Sequence, residues 1–598
     1  MHLSPLDFAI IAVYLALSAG IGIWFSKRAS GSTSEFFLSG RKLPWWLAGT
    51  GMVATTFAAD TPLAVAGLVA KNGIAGNWMW WSFVAGSMMT VFFFARLWRR
   101  AQVLTDLEFI ELRYSGTPAL FLRSFKAVYF GVVMNSIIIG WVNLAMYKII
   151  KILLPEWNAE WTIVAIALLT MLYSGLGGLW SVSVTDAIQF VIAMSGSIAL
   201  AVIALNRPEV TDGGGLLQKL PDWMFQFLPT LVEIAPDARA GGALELTVSA
   251  FLAMVGVQWW ASWYPGAEPG GGGYIAQRMM STKDERHALL ATLWFSVAHY
   301  CVRPWPWILV GLVSVVMFPL LPLNQKEDGF VYVMRDVLPD GAKGLLFAAF
   351  LAAYMSTLST HLNWGASYLL NDFYKRLLKP SETESHYVRV ARMATVGIML
   401  LSLFITFFVL ESISGAWAFL LECGAGTGFV LIMRWFWWRL NAWSEIASMV
   451  TPFLAYAGVR MLTSLAFPES LFVIVSITIS VTIAVTFLTK PESIEHLKAF
   501  YAKVRVGGWL WRYIAKQMPE VKVEENLFSQ LVNWFFGVVM IYAWLFGVGK
   551  LIFGQILFGL FLLMTGIAAG LFIYNQLSRE SMQTPIASPS VSTSRQSP

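Results

Sequence analysis

Charge is scarce in this chain: Asp, Glu, Lys and Arg make up 13% of its 598 residues, whereas hydrophobic residues make up 57%. Soluble domains carry about 25% charged residues, so this composition excludes an ordinary set of globular domains. The net charge of +6 comes from Lys and Arg in short connections between apolar runs. A nucleic-acid partner is therefore not expected.

Cysteines and the motifs of common enzymes are also few or missing. Cys301 and Cys423 lie far apart in apolar segments, which excludes a disulfide framework or a CxxC metal site. No HExxH, GxSxG or P-loop pattern occurs, so the sequence predicts no enzyme and no organic cofactor. No basic segment with a cleavage site precedes the first apolar run, and no cleaved signal peptide is expected.

Apolar runs of bilayer-spanning length fill most of the chain. About 20 such residues cross the hydrocarbon core as a helix. The sequence therefore predicts an all-α polytopic membrane protein. The predicted spans are residues 5–26, 45–70, 76–98, 118–150, 159–178, 183–206, 243–262, 288–318, 342–370, 389–409, 415–436, 445–465, 470–488, 530–549 and 552–576.

Lys and Arg concentrate in alternate connections, from Lys27 and Arg28 onward. Cytoplasmic loops carry this excess, so the N-terminus is predicted outside and the C-terminus in the cytoplasm. On the cytoplasmic side, residues 489–529 form either an amphipathic surface helix or a plain linker. The Ser- and Pro-rich tail at 578–598 is predicted to be disordered.

The run at 45–70 carries Asp60 and Pro62 at its centre. A carboxylate there costs at least about 2.5 kcal/mol on insertion scales, and Pro62 removes a backbone donor. The helix is therefore predicted to open near 57–61. Freed carbonyls beside hydroxyls bind cations in transporters built on interrupted helices. A proline kink with a satisfied aspartate is the alternative.

Six local patterns, in this order, resemble the sodium/solute symporter family over about residues 5–440. They are FFLSGRKLPWWLAG at 36–49, ATTFAADTPLAVAGLVAKNG at 54–73, TDLEFIELRYSG at 105–116, YSGLGGLWSVSVTDAIQFVI at 173–192, YIAQRMMSTKDE at 274–285 and GLLFAAFLAAYMSTLSTHLNWGASYLLNDFYKRLL at 344–378. The resemblance implies a LeuT-like 5+5 inverted repeat, with one preceding and about four following transmembrane helices.

It also implies sodium-coupled symport of a small polar solute by alternating access, across a plasma membrane such as a bacterial inner membrane. The Pro- and Gly-rich stretch at 258–278 matches the broken first helix of the second half. The implied domains are 1–44 (an extra span), 45–206 (first repeat), 207–242 (outer loop), 243–436 (second repeat), 437–577 (peripheral spans) and 578–598 (tail).

The family's common sodium site lies between its first and eighth core helices. Sodium is the coupling ion and the only metal that the resemblance implies. The implied ligands are the carbonyls of Ala54, Phe57 and Ala353 and the hydroxyls of Ser356 and Thr357. Alternatively, these hydroxyls bond back to carbonyls one turn earlier. Asp186 matches an acidic residue tied to ion coupling, and a helix-capping role is the alternative.

The solute site is less clearly implied, because the chain departs from the polar cluster of galactose-type members. Charged residues at membrane depth are functional candidates with a partner to be named. The candidates are Thr56, Asp60, Thr61, Trp78, Trp259, Arg303 and Glu422. A structural Asp60–Arg303 or Glu422–Arg303 pair is the alternative.

Three other functions compete with symport: an uncoupled uniporter or channel-like pathway on the same fold, a membrane sensor and an intramembrane enzyme. Ser356 and Thr357 argue against the uncoupled pathway, and the short tail argues against a sensor. The sequence leaves the solute, the sodium stoichiometry and the oligomeric state open.

Overall fold

The computed structural model describes residues 3–29, 38–103, 105–173, 179–229, 248–261, 269–270, 272–465, 469–523 and 526–583. Within these ranges the regular secondary structure is helical. An isolated parallel bridge between Leu43 and Thr282 is the one β-type pairing found there.

The first half of the chain contains seven longer helices. They are α1 (Pro5–Ala29), α2 (Trp45–Thr55), α3 (Asp60–Asn72), α4 (Ile74–Ala101), α5 (Gly116–Leu153), α6 (Ala159–Tyr173) and α7 (Leu179–Leu205). Short helical turns lie at Ser39–Arg41, Glu108–Arg113, Pro208–Thr211, Leu216–Lys219 and Asp222–Phe225.

The second half continues in the same way. Its helices are α8 (Val248–Gly256), α9 (Gly273–Ser281), α10 (Glu285–Met317), α11 (Gly329–Val337), α12 (Ala342–Leu378), α13 (Glu384–Phe408), α14 (Ile413–Phe436), α15 (Ala442–Leu462), α16 (Glu469–Leu488), α17 (Ile494–Val504), α18 (Leu527–Ile552) and α19 (Ile556–Gln583). Short turns lie at Gln258–Trp260, Leu323–Asp328, Trp509–Trp511 and Arg512–Ala515.

Each predicted span overlaps one of these helices. Among the described residues, nine helices are long and apolar enough to cross a bilayer singly, and two bent pairs raise the number to eleven. The segment at 489–529 contains α17, whose Phe500 packs on Phe109 and Trp511. Its apolar face is therefore covered by protein. The predicted disorder from Ser578 is wrong for the first residues of the tail, because α19 continues to Gln583.

The predicted opening of the first core helix is confirmed. Helix α2 ends at Thr55, α3 begins at Asp60, and their axes differ by 63°. Pro62 lies in the first turn of α3, where a missing N–H leaves no hydrogen bond unmade. The proline therefore starts a second helix instead of kinking a continuous one. In the second half, α8 and α9 flank the corresponding stretch, but residues 262–268 and 271 lie outside the described ranges.

Irregular turns repeat in the two halves. The helix after each break contains a π-helical turn, Thr90–Phe94 in α4 and Ala298–Val302 in α10. The next matching pair, α5 and α12, contains π-helical turns at Tyr129–Met134 and Tyr368–Leu378. Such turns are rare and often mark functional sites. Their matched order is what a 5+5 inverted repeat produces.

The basic connections gather on one face of the helix bundle. There, Leu43 pairs with Thr282, and Arg100 forms an ion pair with Glu285 at 2.8 Å. The turn at 222–225 contacts the start of α4 on the opposite face. The separation of basic and other connections onto opposite faces agrees with the alternation of Lys- and Arg-rich loops along the sequence. The assignment of the basic face to the cytoplasm stays a prediction.

A buried carboxylate ties three elements together on the face opposite the basic connections. Glu327, with 0% of its surface exposed, accepts hydrogen bonds from Lys148 Nζ at 3.0 Å and Ser414 N at 2.9 Å. It also accepts from Ile413 N at 3.1 Å, at the start of α14. Gly67 permits this close packing, because a Cβ there would lie 2.6 Å from Glu327 Cγ.

Glu327→Gln is expected to lower the free energy of unfolding by about 3 kcal/mol at pH 7, since it leaves the half-buried Lys148 and Lys71 short of a charged partner. Burial raises the pKa of Glu327, but Lys148, Lys71 and the Ser414 hydrogen bonds outweigh burial and lower it. The stabilisation is therefore present above the unfolded pKa of about 4.3 and is lost as the pH falls through the lower native value. Thermal unfolding from pH 7 to pH 3 checks this, with exposed Glu411→Gln as the matched control. A difference in melting temperature between Glu327→Gln and the wild type that stays the same from pH 7 to pH 3 would contradict this expectation.

Candidate functional site

The opened turn between α2 and α3 is held by a guanidinium from α10. Arg303 Nη1 donates to the Thr56 carbonyl at 3.0 Å, to the Thr56 hydroxyl at 2.9 Å and to the Val53 carbonyl at 3.4 Å. Its Nη2 lies 3.4 Å from His299 Nε2, one turn earlier in α10. Arg303 is 1% exposed and lies over the Trp307 ring. The arginine therefore binds the last carbonyls of α2.

Asp60 lies on the other side of the same turn. Its carboxylate faces the N–H groups of Asp60 and Thr61, at the start of α3, and the indole of Trp141. The charge of Arg303 acts on it through space. The Thr61 hydroxyl donates to the Thr56 carbonyl at 3.3 Å, which closes the turn. Asp60 and Arg303 are thus electrostatic partners, although the hydrogen bonds described above join each of them to other groups.

A cavity lies beside this turn, between α3, α4, α5, α9, α10 and α14. Its wall is mostly aromatic rings and hydroxyl groups, with Asp60 and Arg303 among them. Trp80 stacks on Tyr300 with ring centroids 5.7 Å apart and contacts His299 edge-on. Thr90, His299 and Tyr300 come from the paired π-helical turns. The lining residues are Thr56, Ala58, Asp60, Thr61, Trp80, Phe83, Ser87, Thr90, Trp141, Val142, Tyr274, Ile275, Thr292, Phe295, His299, Tyr300, Arg303 and Trp417.

Three predicted solute residues lie elsewhere. The indole of Trp78 donates to the Phe227 carbonyl at 2.7 Å and packs on Phe251, so its ring points away from the cavity. Trp259 packs against its neighbour Trp260 with the two rings tilted, and it does not line the cavity.

Glu422 also lies outside the cavity, because it is held by the peripheral helices. Its carboxylate accepts from Arg460 Nη2 at 3.5 Å and from the Ser470 hydroxyl at 3.3 Å. The alternative Glu422–Arg303 pair is therefore wrong, because α15 supplies the arginine that Glu422 binds. Thr56, Asp60, Thr61 and Arg303 remain together around the cavity.

One candidate ion-site hydroxyl, that of Ser356, contacts Asp186 of α7. The Ser356 hydroxyl donates to Asp186 Oδ1 at 3.0 Å, and the Thr55 hydroxyl lies 3.4 Å from Oδ2. Arg278 of α9 approaches Oδ2 at 3.4 Å. Both Asp186 and Arg278 are 2% exposed. Asp186 thus links α2, α9 and α12, which is more than a helix cap does.

The hydroxyls of α12 do not follow the simple back-bonding alternative. Ser356 bonds to Asp186, and Thr357, 3% exposed, has no hydrogen-bond partner among the described residues. The Ala54 carbonyl accepts from Phe57 N at 2.9 Å at the end of α2. Ala353, 4% exposed, lies one turn before Thr357. Within the described part of the chain, no cluster of His, Cys, Asp or Glu suits a transition metal.

Sequence reasoning missed Trp80, Tyr300 and Arg278. Trp80 lies among four closely spaced aromatic and methionine residues, Trp78–Trp81, whose order gives no clue to which ring faces inward. Tyr300 faces the cavity because of a π-helical turn, which hydrophobic periodicity does not reveal. Arg278 carries a usable signal: an arginine buried within YIAQRMM needs a carboxylate.

The family model described as sodium:solute symporter family matches residues 36–451. The chain is 25% identical to the sodium/glucose cotransporter of Vibrio parahaemolyticus, over 75% of this chain and 84% of that protein. It is 24% identical to the sodium/sialic acid symporter of Proteus mirabilis, over 77% of this chain and 91% of the relative. The sodium/mannose cotransporter of Bos taurus is 24% identical over 72% of each chain.

A solved structure shares the fold. It is the substrate-bound, outward-open state of a Na⁺-coupled sialic acid symporter, with a TM-score of 0.61 and 21% sequence identity. The match covers 82% of this chain and 99% of the other. The LeuT-like helical architecture expected from the motifs is therefore confirmed.

Proposed function

This chain belongs to the sodium:solute symporter family, and we propose that its broken first core helix couples one ion site to one solute cavity. The protein is a multi-pass membrane transporter that moves a small solute with sodium. The ion site consists of Ala54, Phe57, Ala353, Ser356 and Thr357, with Asp186 beside it. The solute site is the cavity lined by Thr56, Asp60, Thr61, Trp80 and Arg303.

The observation that carries this proposal is the shared turn. Ala54 and Phe57 flank Thr56, so the same few residues face the ion site on one side and the cavity on the other. A ligand that orders this turn lowers the cost of ordering it for the second ligand. Reciprocal coupling of this kind, typically 1–3 kcal/mol, is what symport requires. An uncoupled pathway gives the pair Ser356 and Asp186 no role.

The cavity suits a small polar solute. The hydroxyl oxygens of Thr90 and Thr292, whose protons bond to carbonyls one turn earlier, can accept hydrogen bonds from a solute. The rings of Trp80 and Tyr300 offer flat apolar surfaces. Relatives are named for glucose, mannose and sialic acid, which combine hydroxyl groups with a ring. We propose uptake across the plasma membrane, with the basic face in the cytoplasm. We also propose that sodium is the only ion required, with no organic cofactor and no catalysed reaction.

Reconstitution tests the proposal. Proteoliposomes containing the full chain are expected to accumulate radiolabelled glucose, mannose or sialic acid only under an inward sodium gradient. Equimolar potassium or choline provides the ionic control, and empty liposomes provide the leak. Uptake that is equally fast and never exceeds equilibrium with or without the gradient would contradict sodium coupling and favour the uncoupled pathway.

A further inference from the structure

His299 lies on the wall of the solute cavity, one helical turn before Arg303 in α10. Its Nε2 lies 3.4 Å from Arg303 Nη2, and its Nδ1 lies 3.3 Å from the Thr56 hydroxyl oxygen. The ring also meets Trp80 edge-on, with centroids 5.6 Å apart, and lies 5.1 Å from the ring of Phe295. Both nitrogens of this histidine are therefore within hydrogen-bond distance of the opened turn and its arginine.

The donors and acceptors around the ring admit one arrangement of protons. A guanidinium only donates, so Nε2 of His299 accepts from Arg303 and carries no proton. The single proton of the neutral imidazole then lies on Nδ1, which donates to the Thr56 hydroxyl oxygen. That hydroxyl completes the arrangement, because its own proton goes to the Val53 carbonyl at 2.7 Å. Its lone pairs accept from His299 and from Arg303 Nη1, the latter at 2.9 Å.

This arrangement holds the Arg303 guanidinium from two sides. Nη1 binds the end of α2 through the carbonyls of Val53 and Thr56, and Nη2 meets His299 within α10 itself. A long side chain loses much rotamer freedom when it is held in one orientation. An acceptor on the same helix restricts the guanidinium to the orientation that joins α10 to the opened turn. Without that acceptor, only α2 would hold the guanidinium in these contacts.

We propose that His299 is a positioning residue for solute uptake: in its neutral form, with the proton on Nδ1, it holds Arg303 and Thr56 at the opened turn. Because the protein engages both nitrogens, the histidine acts on the solute through Arg303 and not by a hydrogen bond of its own. The proposal rests on the solute cavity assigned under the proposed function. It adds a residue whose part in solute binding is indirect.

Three substitutions of His299 separate its two nitrogens. His299→Gln places an amide oxygen near the position of Nε2 and keeps an acceptor for Arg303. His299→Asn places its amide near the position of Nδ1 and loses that acceptor. His299→Phe keeps a ring against Trp80 and loses both nitrogens. His287→Phe provides the matched control, because His287 belongs to the same helix and does not line the cavity.

Sodium-driven uptake of radiolabelled glucose, mannose or sialic acid by proteoliposomes gives KM and the maximal rate of each protein. His299→Phe and His299→Asn are expected to raise KM about tenfold, the scale of one hydrogen bond to a charged group, with a maximal rate within about twofold of the wild type. His299→Gln and His287→Phe are expected to stay within about threefold of the wild-type KM. A lower maximal rate of His299→Phe at unchanged KM would overturn the proposal, as would a KM of His299→Gln as high as that of His299→Phe.

Thermal melting of the purified proteins tests the route through Arg303 without any solute. His299→Phe is expected to lower the melting temperature of the wild type by more than that of Arg303→Met, which has no guanidinium for Nε2 to hold. An equal decrease in both backgrounds would overturn the proposal, since His299 would then act independently of Arg303. If the wild type shows no sodium-driven uptake of any probe, the proposed function fails, and the melting comparison still decides whether His299 holds Arg303.

Discussion

Alanine at both Ser356 and Thr357 is expected to abolish sodium-driven uptake and the stabilisation of the protein by sodium. An ion that binds only the folded state stabilises it by RT ln(1 + [L]/Kd), about 2.7 kcal/mol at one hundred times Kd. The double substitution removes two of the five proposed ligands, and Asp186 loses the Ser356 hydrogen bond of 3.0 Å. Melting temperatures in sodium and in equimolar potassium measure the loss.

Two buried hydroxyls of a peripheral helix provide the control for this loss. Thr478 and Thr482 of α16 are 0% exposed and lie far from α2 and α12. Thr478→Ala with Thr482→Ala is expected to lower stability equally in sodium and potassium. A Ser356 and Thr357 double variant with the wild-type sodium response would place the ion elsewhere.

Arg303→Met is expected to lower the free energy of unfolding by about 3 kcal/mol and to abolish uptake. The substitution leaves the buried Asp60 carboxylate without its cation, and breaking a buried ion pair from one side costs about 3–5 kcal/mol. It also removes the donor to the Thr56 carbonyl. Denaturation of the purified variant and its uptake in proteoliposomes measure the two effects.

The double variant with Asp60→Asn separates charge pairing from packing. If Asp60 and Arg303 balance each other, adding Asp60→Asn recovers at least about 1 kcal/mol of the loss caused by Arg303→Met, the usual scale of coupling between interacting residues. Arg303→Lys, which keeps the charge but not the planar fork, is expected to fall between the wild type and Arg303→Met. Strictly additive effects of the two substitutions would show that the charges act independently.

Features that depend on neighbours in the chain could be predicted from the sequence. Runs of apolar residues specify spans because the bilayer imposes one length and one polarity. The break at 56–59 follows from Asp60 and Pro62, whose local chemistry opposes a continuous helix and favours the start of a new one. The motifs around Ser356 help to identify the family, because the proposed ion ligands lie on short segments with fixed spacing.

Contacts between long side chains of different helices, however, depend on how the helices pack in three dimensions. Trp78 and Trp80 are two positions apart and lie on opposite sides of α4, and the packing of this helix directs Trp80 to the cavity and Trp78 to the Phe227 carbonyl. The sequence offers several acidic residues at membrane depth as partners for Arg303. The packing of α10 on α2 instead places its guanidinium on the Thr56 carbonyl.

Helix packing also decides which buried charges pair with each other, and the sequence alone could not predict these pairs. Glu422 belongs with Arg460, and Asp186 with Arg278, because α15 and α9 bring those arginines alongside. A buried charge requires a partner, and this requirement is visible in the sequence. The identity of the partner is a long-range contact between helices far apart in the chain, and it is set only when they pack.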